Sequence, residues 1–371
     1  MKILLITMEW PPFRGGVGNY YFNLTQELAK QGMELQVLIP QAKLEIESQK
    51  PNLTVSVCPF FYKFFWPKWL KLYFEIKKTV KKFKPDLIWV GQVLPVGEAV
   101  YLIKQRFKIP YFVSAHSLDI LLPQKNFRKD KILKKILDKA EFITANSEFT
   151  KKELQNLENS DKKIEIIYPC PNIKNNGLIK KQGNQKILLT VGRLVKRKGQ
   201  GKVIEVMPKL LLDFPDLTYL IIGNGPEKIN LESKVDNLDL NDKVKILTDV
   251  SDEELSGYYA SSDIFVMPVE NLEDDAEGFG IVYLEAAEFG LPVIGGKSGG
   301  ATEAILDNET GLLVEPGNQK DLLEKISLFL NNGQLAKKFG AAGKMRIDQE
   351  FIWEKQADKL ISKLNHYDSR K

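Results

Sequence analysis

Thirteen short apolar runs alternate along this chain with helix-length amphipathic stretches, and the alternation stops once and restarts. Seven runs fall at 2–7, 35–40, 53–58, 86–91, 110–115, 142–147 and 164–169, and six more at 186–192, 217–223, 243–248, 263–268, 292–296 and 311–316. Runs this short, almost wholly apolar and spaced by helices, read as buried strands of parallel sheets. The polar stretch NIKNNGLIKKQGNQ, 172–185, carries neither period and reads as a linker. Two doubly wound, Rossmann-like α/β domains facing each other across a cleft are therefore expected. The first spans 1–172 and is completed by a C-terminal helix at about 351–371; the second spans 186–350, with 173–185 between them. Ligands in such folds bind beyond the carboxyl ends of the strands, so the loops there are where chemistry should be sought.

A length of 371 residues suits two domains of about 150–200 residues each. Two histidines and two cysteines, Cys58 and Cys170, make a zinc or iron site improbable. They leave the chemistry to carboxylates, basic side chains and backbone. Free thiols and the lack of a signal-peptide pattern point to a reducing, cytoplasmic compartment. No apolar run reaches the roughly 18–20 residues needed to span a bilayer. The net charge of +5 is uneven: residues 1–178 hold 28 basic and 17 acidic side chains, a net of +11, and the remainder carry −6. The basic half is the one suited to anionic surfaces.

Three loops carry the chemistry. After the first run, Arg14-Gly15-Gly16-Val17-Gly18 is a glycine turn opening a helix, whose amides and positive end suit a phosphate. It lacks the third glycine of a dinucleotide fingerprint, and the second run ends in Ile39-Pro40-Gln41 without an acid for a ribose, which disfavours a dehydrogenase. In the second half, VGRLVKRKGQ sets Arg193 and Lys198 just past a strand end, where a planar fork and a mobile ammonium can hold a diphosphate; a solvated basic loop is the alternative. The segment EDDAEGFGIVYLEAAEFG then places Glu277 before a Gly-Phe-Gly turn. Glu277 and the amides of Phe279, Gly280 and Ile281 would crowd a helix N-terminus, a setting fit for sugar hydroxyls beside a phosphate. Glu285, flanked by residues too apolar for a wet face, could reach a ribose diol.

These motifs, in this order, resemble the family 4 glycosyltransferases of the GT-B fold over essentially the whole chain. The matching stretches are Gly15-Gly16, SAHSLD around His116, NSEFTK at 146–151, GRLVKRKG at 192–199, GNGPE at 223–227, EGFGIVYLEAAEFGLPVI and GLLVEPGN at 311–318. The resemblance implies a retaining, metal-independent hexosyl transfer from a GDP- or UDP-sugar, with the donor mostly on the second domain, the acceptor on the first, and no further cofactor. It further implies that Arg193 and Lys198 hold the diphosphate, Glu285 the ribose, and Glu277 with the Phe279 and Gly280 amides the sugar ring. Gly15 and Gly16 would lie against the donor phosphates and His116 against the sugar; Gly223, Asn224 and backbone near Val250 would face the base. The chain departs from the family in Ser117 beside His116 and in the IIYPCPN run, where Cys170 has no assigned role. Retention through a covalent intermediate needs a second carboxylate, and the sequence places none near His116. A same-face attack assisted by the departing phosphate is the expected route. EGFGIVYLEA with GGKSGGATE looks most similar to GDP-mannose-dependent mannosyltransferases acting on phosphatidylinositol lipids or polysaccharide precursors. A nucleotide-sugar epimerase of the same fold and a non-catalytic nucleotide-sugar-binding partner remain as alternatives.

One stretch is unexplained by a soluble transferase alone. FFYKFFWPKWLKLYFEIKKTVKKFK, 60–84, holds nine aromatics in its first fifteen residues and eight lysines. Trp69, Tyr73, Ile76, Val80 and Phe83 form one core stripe of a helix. Leu70 and Phe74 fall among Lys71, Lys77, Lys78 and Lys81 on the opposite arc. Phe60, Phe61, Phe64, Phe65 and Trp66 exceed what one strand-helix connection should bury. Lysines interleaved with exposed aromatics mark an interfacial element, and KNFRKDKILKKILDKA, with Lys134 and Lys135, adds seven basic residues. An anionic membrane is the expected partner, at the inner face of the cell membrane, with Phe64, Phe65, Trp66, Lys71, Phe74, Lys78, Lys134 and Lys135 in contact. Nucleic acid is not expected, because no reading module is present.

Overall fold

The computed structural model describes residues 1–11, 15–40, 49–64, 66–157, 164–173, 185–270, 272 and 276–368. The chain forms two compact units, Met1–Pro169 with Trp353–Lys371, and Cys170–Ile352. Residues 170–172, expected to end the first domain, belong to the second unit, and most of the expected linker lies outside the described residues.

The first unit holds β1 Lys2–Ile6, β2 Glu34–Ile39, β3 Gln49–Lys50, β4 Leu53–Val57, β5 Leu87–Val90, β6 Tyr111–Ala115, β7 Ile143–Ala145 and β8 Ile164–Ile166. They lie in the order β3-β4-β2-β1-β5-β6-β7-β8, parallel except where the short β3 meets β4. The second unit holds β9 Lys186–Val191, β10 Leu217–Ile222, β11 Val244–Leu247, β12 Ile264–Met267, β13 Val293–Gly296 and β14 Gly311–Val314. Their order is β11-β10-β9-β12-β13-β14, parallel throughout. Every side chain of β5, β6, β7, β10, β12, β13 and β14 is buried, because helices cover both faces of each sheet. Strand order reverses between β1 and β5 and between β9 and β12, which makes the loops beyond those strands the natural ligand sites.

On one face of the first sheet, the helices Leu70–Phe83, Val96–Phe107 and Phe127–Lys139 bury Ile76, Val80, Val100 and Ile136. On the other, helix Gly16–Lys30 packs with the C-terminal helix Trp353–Asp368, and Leu24 and Leu28 share a core with Leu360 and Leu364. Gln31 donates to Asp358 at 2.9 Å, and Gln356 accepts from the Tyr168 backbone at 3.0 Å.

The aromatic stretch divides. Phe60 is buried in the core, contrary to its expected surplus, because its carbonyl receives the Leu72 N–H and draws the approach to the helix inward. Trp69, Tyr73 and Phe83 pack on the core, but Leu72 is the residue buried there that the wheel had not counted. Phe64 is fully exposed, Trp66 is 83% exposed and Phe74 47%, while Phe65 lies outside the described residues. Lys78 is exposed, and Lys71 is half-buried over the Tyr62 ring. Lys134 pairs with Asp130 at 3.0 Å, and Lys135 lies over the Tyr101 ring. Helix Val96–Phe107 packs against both Leu70–Phe83 and Phe127–Lys139, and its Glu98 stands beside Trp69 and Lys129. Two segments far apart in sequence thus share one side of the first unit, where Phe127 is a further 82% exposed aromatic. Among the described residues, no helix is long and apolar enough to cross a membrane, and no three His, Cys, Asp or Glu side chains are arranged to hold a metal ion.

Candidate active site

In the second unit the two loops at the strand reversal meet. Beyond β9 the chain turns through a 3-10 turn at Lys196–Lys198 before helix Gln200–Asp213; beyond β12 it returns at Glu277. Lys198 Nζ and Arg197 Nη1 each donate to the same oxygen, Oε2 of Glu277, at 2.5 Å. All three residues are buried. Burial by itself pushes the Glu277 carboxyl up, but the Lys198 ammonium and Arg197 guanidinium overcome it and hold it down at about 2. Arg193, expected beside Lys198, has an exposed side chain, and its carbonyl accepts from Gln200 at 3.1 Å. Arg197 takes the inward place: with Lys198 it is buried at the 3-10 turn, where both side chains converge on Glu277.

Glu277 is fixed from behind. Gly300 N–H donates to its carbonyl at 2.8 Å, and Gly299 adopts φ +54 so closely that a Cβ there would lie 2.4 Å from that same oxygen. Gly280, at φ +86, turns the chain into helix Ile281–Glu288, whose N-terminus has no side-chain cap. Phe279 is buried and its ring lies 5.7 Å from that of Phe351. Glu285 is buried, as its apolar flanks require. Burial drives its carboxyl up to about 7, although Tyr259 Oη donates to its Oε2 at 3.0 Å. Tyr259 is wedged between Phe265 and Phe289. Gly223 and Asn224 follow β10, and the Leu194 N–H donates to the Asn224 carbonyl at 3.0 Å, so the β9 and β10 loops are joined. Val250 is half-buried and precedes Ser251, the cap of helix Asp252–Ser261.

In the first unit, Gly15 and Gly16 open the helix that follows β1, and β6 ends just before His116. Gln92 ties the ends of β1 and β5 together, accepting from the Met8 N–H at 2.8 Å and donating to Thr7 at 3.2 Å. Glu9 is half-buried and stands over Gly15, with its Oε2 3.1 Å from where a Cβ would be. Burial raises its carboxyl. His116 is buried between the edges of Tyr20 and Tyr21, and burial drives its imidazole down to about 4. The sequence placed no carboxylate near His116; the structure places Asp119 there. Its carboxyl accepts the His116 N–H at 3.4 Å, because residue 119 is the third of helix Ser117–Gln124 and folds back on the residue before it. Burial pushes Asp119 up to about 7, and Glu9 adds to the rise.

The second unit therefore gathers Lys198, Glu277, Gly280 and Glu285 in one place and leaves Arg193 outward. The sequence reading missed Arg197, Tyr259, Glu9, Asp119 and Tyr21. Glu9 left a signal, an acid just past a strand's carboxyl end, and Asp119 lies three residues from His116; Arg197, Tyr259 and Tyr21 are visible only through contacts 26–95 residues away in sequence.

A loop pair of cations on a carboxylate near a helix N-terminus, at the reversal of a parallel sheet, suits a glycosyltransferase of GT-B type. The comparisons with known proteins are consistent with this. The family described as Glycosyltransferase Family 4 matches residues 14–174, and Glycosyl transferases group 1 matches 174–346. The chain belongs to the family 4 glycosyltransferases. It is similar to the GDP-mannose-dependent alpha-(1-6)-phosphatidylinositol monomannoside mannosyltransferase of Mycolicibacterium smegmatis, with 26% identity over 98% of each chain. Among solved structures, it superimposes on sucrose-phosphate synthase from Thermosynechococcus elongatus with a TM-score of 0.83 at 21% identity, covering all of both chains. It superimposes on Anabaena HepE in complex with UDP and glucose with a TM-score of 0.81 at 20% identity, covering 99% of this chain and all of that one. The fold is GT-B.

Proposed function

We propose that the protein is a retaining, metal-independent hexosyltransferase. It takes mannose from GDP-mannose and passes it to a lipid-linked or polysaccharide-precursor acceptor at the inner face of the cell membrane. The observation that carries this reading is the buried triad of Arg197, Lys198 and Glu277. Two cations converge on one carboxylate there, which sets a guanidinium and an ammonium where a diphosphate could be met. In glycosyl transfer negative charge grows on the departing phosphate, and oriented cations and helix-end amides lower that barrier.

In this reading Lys198, with Arg193 swinging in from solvent, holds the diphosphate. Glu277 and the Phe279, Gly280 and Ile281 amides receive the sugar hydroxyls. Glu285 takes the ribose diol, and Gly223, Asn224 and the Val250 backbone take the base. On the first unit, Gly15, Gly16 and His116 face substrate, and the attack proceeds on the same face as departure, the phosphate accepting the acceptor's proton. Mannose is favoured because the relative from M. smegmatis is named for GDP-mannose. Membrane contact is supported by exposed Phe64, Trp66, Phe74 and Phe127 beside Lys78 and Lys135. Apolar rings insert while each lysine near an anionic leaflet adds about 1 kcal/mol.

The test is release of nucleoside diphosphate from a panel of GDP- and UDP-sugars, with and without vesicles of an anionic phospholipid extract. Release from GDP-mannose that rises with the vesicles supports the whole reading. Release from a UDP-sugar alone overturns the donor, release indifferent to lipid overturns the membrane acceptor, and no release from any donor overturns the transferase.

A further inference from the structure

We propose that Tyr21 is a positioning residue that fixes the tautomer of His116: the ring proton sits on Nε2, and Nδ1 is left as an acceptor that a sugar hydroxyl shares with the Asp119 backbone N–H of the capping box. The role for Nδ1 rests on the reading of His116 given above; the tautomer does not.

The argument is one of proton counting. Tyr21 is fully buried in helix Gly16–Lys30, one turn past the glycine pair. Its hydroxyl carries one proton and lies against the carbonyl of Gly91 at the end of β5, Nε2 of His116 at 2.9 Å and the Ser114 hydroxyl, which can itself donate. A carbonyl can only accept, so the phenol proton goes to Gly91. The contact with His116 is then a hydrogen bond only if Nε2 donates. The opposite tautomer would set two lone pairs against each other out of reach of water, an arrangement buried polar groups avoid. Burial also keeps the imidazole uncharged, so one ring nitrogen carries the proton and the other does not. The ring cannot rotate to evade the choice. Tyr20 and Tyr21 both meet it edge-on, at 5.3 and 5.6 Å, and are braced by Trp353 and Trp89. An aliphatic residue at 21 would fill the same core and leave the tautomer free.

The chain has only two histidines, His116 and His366, which makes the tautomer directly measurable. Two-bond nitrogen-proton correlation NMR on the full chain labelled with ¹⁵N-histidine gives two ring patterns, and His366→Gln assigns them. Wild type should show His116 in the Nε2–H form at pH 7. Tyr21→Phe keeps the ring and removes the hydroxyl; it should populate the Nδ1–H form and lower kcat about tenfold, the worth of one misdirected hydrogen bond. Wild-type His116 in the Nδ1–H form, or a tautomer unchanged in Tyr21→Phe, overturns the proposal. A tautomer that shifts while kcat holds overturns the role given to Nδ1. A wild-type protein that turns over no nucleotide sugar would count against the transferase reading, and the spectra would still decide the hydrogen bond.

Discussion

The strand ends of the two units are built from the same strand-turn-helix parts, yet they hold ionisable groups in opposite ways. In the second unit the buried Glu277 is kept charged, at about 2, by Lys198 and Arg197. In the first, among the described residues, no cation is found acting on Glu9, His116 or Asp119. Burial drives the imidazole down to about 4 and, with Glu9 adding to the rise, Asp119 up to about 7. Depth is nearly the same, since Glu277 and His116 are 8% and 9% exposed. Partners, not burial, set the charge. In the function proposed above, the charged site would meet the diphosphate of the donor and the uncharged one the hydroxyls of a sugar.

The largest test of that contrast is Lys198→Ala. Removing a cation from the charged site should lower kcat by about 10²–10³, read as nucleoside diphosphate release, with the circular dichroism spectrum unchanged. Activity within a few fold of wild type would break the assignment. Next is a pair of isosteric changes. Glu277→Gln leaves two buried cations without their carboxylate and should cost about 3–5 kcal/mol in denaturant unfolding at pH 7. Asp119→Asn at pH 6 replaces a carboxyl that is already mostly neutral and should cost less than about 1 kcal/mol. Equal losses at both positions would erase the comparison.

Glu285 sharpens it, because it is a neutral-leaning carboxyl inside the charged unit. Its folded value of about 7 lies above the ordinary 4.5, so the folded state binds the proton more tightly. The stability this favours is complete below about pH 4.5 and is lost as pH rises through about 7. Glu285→Gln should therefore gain about 1–3 kcal/mol over wild type at pH 8 and little at pH 5, while weakening donor binding. A gain that is larger at pH 5 would reverse the sign and refute the placement. The smallest effect is on the surface: Phe64→Ser, Trp66→Ser and Phe127→Ser together should release the protein from anionic vesicles in a sedimentation assay and leave kcat on a soluble acceptor within about twofold. Unchanged sedimentation would return those rings to simple exposed residues.

Lys198, Glu277 and Glu285 could be picked out before any coordinates, because each sits at a fixed offset from a strand end or a glycine turn. Arg193 was chosen for the same reason and points to solvent, whereas Arg197 is the buried partner. Nothing local separates two arginines four residues apart; the 3-10 turn and the return of the chain 80 residues later do. Phe60 was counted with its exposed neighbours and is in the core, since a run of aromatics says that something is buried without saying which ring.

The sequence by itself determined the two parallel sheets, the order of their strands' loops and the glycine turns. Those depend on hydrophobic period and on backbone conformations that only a few residues adopt. Only the tertiary structure decided the state of the site. Whether a carboxyl is ionised, which nitrogen of His116 holds its proton, and which aromatics face water depend on what is brought close from elsewhere in the chain. Coulomb and hydrogen-bond energies act over a few ångströms of space and take no account of separation along the sequence.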